Sequence, residues 1–109
     1  MGLLDNRKLK KRVLSMTDAV HPRGGKIITS LGTSDLLTLF APYSPTQRSD
    51  GTYDVRLKSG DATCQIALDD AAPNSVLTLY PSGSGIMDMA LVGTLVERVA
   101  TRDLSARLS

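Results

Sequence analysis

The segment from Ser75 to Val99 limits the possible folds more than any other. Ser75-Val-Leu-Thr-Leu-Tyr80 is an apolar run with branched side chains, and Pro81-Ser-Gly-Ser-Gly85 supplies turn chemistry. A second apolar run follows from Ile86 to Val99. Two such runs in succession must be covered by other elements, because apolar surface left in water costs about 25 cal/mol per Å². As a strand, Ile86 to Val99 would place Ile86, Ala90, Val92, Thr94 and Val96 on one face. As a helix, Met89, Val92, Val96 and Val99 repeat at three and four. The branched Val92, Thr94, Val96 and Val99 favour strand, with Gly93 marking a bulge or a barrel corner. The helical spacing leaves the alternative open.

Upstream, the alternation is that of half-buried strands. Tyr53, Val55 and Leu57 point one way, and Asp54, Arg56 and Lys58 the other. Ser59-Gly60-Asp61 is a hairpin connection, after which Ala62, Cys64, Ile66 and Leu68 alternate with Thr63, Gln65 and Ala67. Lys26 to Leu31 is a short β candidate carrying Ile27 and Ile28. Leu36-Leu-Thr-Leu-Phe-Ala41 reads as a further strand behind a turn at Gly32-Thr-Ser-Asp35. Pro42 to Gly51 is the longest loop, long enough to reach a neighbouring subunit. Aromatic side chains are few (Phe40, Tyr43, Tyr53, Tyr80), so Leu, Ile, Val and Met must build the core. The expected fold is therefore mainly β: a small antiparallel barrel or sandwich, OB- or SH3-like, of five to six strands behind an N-terminal amphipathic helix.

That helix spans residues 3 to 20, with Leu9, Val13, Met16 and Val20 on one face and Asp5 or Asn6 available as a cap. His21-Pro-Arg-Gly-Gly25 breaks it. A helix of this length is marginal alone in water and needs a docking surface, either its own barrel or a neighbour. The chain divides into a basic helical arm (1–22), a β-barrel domain (23–100) and a polar C-terminal tail (101–109). The charge is equally divided. Five of the chain's 13 Lys and Arg lie among the first 18 residues, leaving eight against nine acidic residues in the body. Attraction to phosphate would thus be seated on Arg7, Lys8, Lys10, Lys11 and Arg12. With the tyrosines as stacking platforms, this cluster would make a single-stranded nucleic-acid binder. As the solvated end of an interface helix, it would flank contacts made by Leu9, Val13, Met16, Val20 and, from the long loop, Tyr43.

The residues able to carry chemistry stand apart from one another. His21 lies in a breaker with no orienting partner nearby in sequence. Cys64 falls mid-strand on an apolar face, reads as a core cysteine, and has no second cysteine to pair with. Asp69-Asp70, with Asp61 or Asp88, lacks the alternating oxygens and glycine of a calcium loop. Gly83-Ser-Gly85 and Arg23-Gly-Gly-Lys26 carry only part of a phosphate loop. The expectation is a non-enzyme with no cofactor, no metal and no membrane span, in a compartment that is reducing or in which cysteine is irrelevant.

The order Asp50-Gly-Thr-Tyr-Asp-Val-Arg-Leu57, then Val76-Leu-Thr-Leu-Tyr-Pro-Ser-Gly83, then Leu91-Val-Gly-Thr-Leu95 resembles the small OB-type barrels of tailed-phage structural proteins. That resemblance covers about 45 residues. It implies a virion tail, baseplate or connector component, assembled in the host cytoplasm, that contacts further copies of itself and other virion proteins. Gly24-Gly-Lys26, Ser49-Asp-Gly-Thr52, the mid-strand Cys64 and Val92-Gly-Thr-Leu95 look like the barrel-then-helix layout of the coronavirus RNA-binding replicase subunit. That likeness implies a helix over Met87 to Ala100, with Gly93 admitting a second helix in a dimer. The start Met1-Gly-Leu-Leu reads as a native one, against a segment cut from a polyprotein.

Overall fold

The computed structural model describes residues 3–109, with side chains from Arg7 onward; the expected cap at Asp5 or Asn6 lies outside the described residues. The elements in order are α1 (Leu3–Val20), β1 (Gly25–Thr29), α2 (Thr33–Leu39), a 3₁₀ turn (Ala41–Tyr43), β2 (Thr46–Gln47), β3 (Tyr53–Arg56), β4 (Thr63–Ala71), β5 (Asn74–Pro81), α3 (Ile86–Arg102) and β6 (Arg107–Leu108). The strands form one antiparallel sheet in the order β2-β3-β4-β5-β1-β6.

The alternating segments fold as their period demands. Val55 pairs with Cys64, and Ile66 with Leu79. Cys64, Ile66, Leu77, Leu79, Val55 and Ile27 then form the buried face of the sheet. Gly60, at φ +78°, closes the β3–β4 connection. The three helices cover that face: α3 over β4 and β5, α2 over β4, and α1 over β1 and α3. The result is two layers, a sheet and a helical layer, around one core. The sheet is open, with β2 and β6 at its ends and no pairing between them among the described residues.

One segment expected as a strand, and one left open between strand and helix, are helices. Leu36 to Ala41 lies in α2 and the 3₁₀ turn that follows. The Gly32-Thr-Ser-Asp35 segment is a helix start, in which the Asp35 carboxylate accepts the Gly32 N–H at 3.3 Å. Leu36 and Phe40, one turn apart, are fully buried, worth about 2 kcal/mol each. Ile86 to Val99 lies wholly in α3, opened in the same way by Asp88 accepting from the Gly85 N–H at 3.2 Å. Its buried residues fall in doublets, Leu91-Val92, Leu95-Val96 and Val99-Ala100, the wide stripe of a helix pressed on a sheet. Branched content lost to this spacing. Gly93 meets Thr17 of the chain's own α1, so the close helix approach is intramolecular.

The terminal segments are parts of the fold. The chain past residue 100 completes α3 and then adds β6 beside β1, with Ser109 N–H donating to Lys26 O. Asp103 fixes that path. Its carboxylate, 7% exposed, accepts from Thr29 Oγ1 (2.7 Å), Ser30 N–H (2.7 Å), Ser105 N–H (2.9 Å) and Ser105 Oγ (2.6 Å). Burial pushes this carboxyl up, but the hydrogen bonds to its charged form outweigh burial and hold it well below the usual range. The long loop is also folded back: β2 pairs with β3, and Arg48 bridges Asp54 at 3.2 Å.

Candidate functional site

The surface with the most unusual composition is the outer side of the helical layer. The face of α1 spaced for docking is used internally. Met16 and Val20 are buried in the core, and Val13 packs against it. Leu9 is half-buried. Tyr43 is also buried, with its hydroxyl accepting from Arg98 Nε at 3.0 Å and its ring under that guanidinium at 5.1 Å. Met16, Val20 and Tyr43, expected between subunits, are therefore covered by the chain's own elements. The apolar surface nearest to α1 is that of α3, with β1 beside it.

The opposite side of α1 stays in water. Arg7, Lys8, Lys10 and Lys11 are exposed near its start. Arg12 separates from this group: it is half-buried and donates from Nη2 to Ala106 O, tying α1 to the chain end. The five basic residues thus divide into four facing solvent and one that is structural. Further along, Leu14 is 60% exposed, and across a groove from it lie Ile86, at 86%, and Met89. Met87, also exposed on α3, is not among the groove's lining residues. Val13, Ala90 and Gly93 add apolar lining, and Thr17, Thr94 and Glu97 the polar part, so the groove is largely apolar. No sequence pattern marked it. Leu14 breaks the helical stripe by one position, and Ile86 and Met89 were readable only as part of an undecided run.

The other candidates are placed as follows. Burial pushes the Cys64 thiol up to about 12, which leaves it protonated and unreactive. His21 sits at the end of α1, with its Nε2 buried and without a hydrogen-bond partner. Asp69 and Asp70 are exposed near the tip of the β4–β5 hairpin. Among the described residues, no group of three His, Cys, Asp or Glu is placed to hold a metal ion. Among the described residues, no helix is long and apolar enough to cross a membrane. Shallow depressions between α2 and α3 are lined by Leu39, Arg98 and Arg102, whose guanidiniums could meet an anion. Arg98 is already engaged with Tyr43 and Leu39 O. Comparison of the chain with protein-family models, with curated proteins and with solved structures found no match.

Proposed function

We propose that this chain is a non-enzymatic structural or assembly protein of a virus particle, acting through contacts with further subunits. The observation that carries the reading is the exposed cluster of Leu14, Ile86 and Met89 along one groove. Single exposed apolar residues are ordinary, but a contiguous group rimmed by charge marks an interaction surface. The virion assignment comes from the likeness to tailed-phage OB-type modules. The segments carrying it, Asp50 to Leu57 and Val76 to Gly83, belong largely to the contiguous β3-β4-β5 meander, and that meander is the part of the barrel likeness that enters the proposal. Assembly would take place in the host cytoplasm. The test is native mass spectrometry of the full chain, with protein analysis of purified particles. The expected result is the chain in the particles and in complexes larger than 11.6 kDa. A chain missing from particles and sedimenting as a lone protomer at every concentration overturns the reading.

A second reading rests on the four exposed cations of α1: contact with single-stranded nucleic acid through phosphate. It requires binding that weakens steeply with salt. Changing Arg7, Lys8, Lys10 and Lys11 together to Ala should abolish the anisotropy change of a labelled oligonucleotide, whereas Arg12→Ala should act through stability alone. Salt-insensitive binding removes this reading.

A further inference from the structure

We infer that the outward stripe of α1, Lys10–Leu14–Asp18, is self-complementary and pairs with the same stripe of a second copy about a two-fold axis near Leu14. The inference rests on the assembly reading and deepens it by naming the partner. Residues four apart on a helix lie in line, so Lys10, Leu14 and Asp18 form one ridge, and all three are exposed. The ridge carries a cation at one end, an apolar side chain at its centre and an anion at the other. Neither Lys10 nor Asp18 forms a salt bridge among the described residues.

Antiparallel pairing of two such ridges about Leu14 sets Lys10 of each copy against Asp18 of the other, twice per dimer. Parallel pairing would oppose like charges at both ends, so electrostatics select the antiparallel register. The two Leu14 side chains meet at the axis. Ile86 and Met89, across the groove on α3, flank them and exclude water. A contact of this type uses one patch on both partners and closes on itself, so it yields a dimer and not a filament. The available surface is sufficient. An 18-residue helix is about 27 Å long, and a standard interface takes roughly 800 Å² from each partner, about an eighth of the 6467 Å² surface.

The natural chain has a single, buried cysteine, Cys64, which makes cross-linking clean. Leu14→Cys should form a disulfide-linked dimer under mild oxidation, and Ser59→Cys, on the exposed β3–β4 connection, should not. In sedimentation, Lys10→Asp and Asp18→Lys should each weaken the dimer by roughly tenfold, and the double variant should restore it. Circular dichroism of each variant verifies that the fold is retained, since all the altered positions face water. Three results overturn the inference: a wild-type chain that stays monomeric, a dimer indifferent to both charge reversals, or equal cross-linking at positions 14 and 59. The assembly reading is decided separately, by the presence of the chain in particles and in complexes with other proteins.

Discussion

Asp103 shows how one side chain directs the end of the chain. Its carboxylate receives four hydrogen bonds from β1, from the residue after β1 and from Ser105. Asp103→Ala strands those donors and should cost about 3 kcal/mol in urea denaturation. The pH dependence follows from the depressed pKa. The unfolded carboxyl titrates near about 3.9. Between the folded and unfolded values the unfolded chain holds more protons, so stability rises with pH through that window. The contribution is complete above the unfolded value and is lost as pH falls below it. The gap between wild type and Asp103→Asn should therefore shrink as pH falls below about 4; an equal gap at neutral and acid pH contradicts it. Gly93 makes the opposite point. A Cβ there would meet Thr17 at 3.7 Å, an ordinary contact, so nothing at this position requires glycine. Gly93→Ala should be stabilising by up to about 1 kcal/mol through helix propensity, read as a higher Tm. A lower Tm would show the two helices packed more tightly than this.

At the level of elements, α1 is part of the core and not a detachable arm. Met16 and Val20 are buried with Ile27 and Leu95 in one cluster. Removing residues 1–20 should leave a chain without cooperative thermal unfolding, and Leu36→Ala in α2 should cost about 2–5 kcal/mol. A truncated chain that melts cooperatively would restore the picture of a free arm. The strands β3, β4 and β5 were legible because a period of two needs only local alternation and a turn between, as at Gly60. The helix α2 was not, and α3 was legible only as one of two alternatives. Leu36-Leu-Thr-Leu-Phe is apolar on nearly every side, so it carries no period. The Val and Thr of α3 favour strand intrinsically, and only burial against β4 and β5 decides for helix. Two sequence signals do mark these helix starts: a glycine followed three residues later by Asp, at Gly32–Asp35 and at Gly85–Asp88. The apolar groove could not be read at all, since Leu14 and Ile86 become neighbours only once α1 and α3 lie side by side.

At the scale of the whole molecule, the proposed association falls to the helical layer. The two end strands are short, Thr46–Gln47 and Arg107–Leu108, and offer little open backbone. The longer open edge is the outer half of β4: β3 pairs only with Thr63–Ile66, leaving Ala67–Ala71 unflanked on that side. Asp69 and Asp70 occupy that stretch, and exposed charge discourages strand pairing there. This is a physical role for the acidic pair that involves no metal. A net charge of +2 adds little repulsion between copies. Self-association through Leu14 then acts on stability by mass action, because only the folded chain carries the paired surface. At a total protomer concentration a hundredfold above the dissociation constant, most of the chain is paired, the free protomer is about sevenfold above that constant, and the gain is about 1.6 kcal/mol. For a domain of this size each kcal/mol moves Tm by roughly 4–8 °C. Scanning calorimetry over a hundredfold dilution series should therefore show Tm falling by several degrees in the wild type. Leu14→Glu should hold a constant Tm, near that of the dilute wild type, because the exposed position leaves the protomer's own packing intact. A wild-type Tm that ignores concentration would contradict pairing through Leu14.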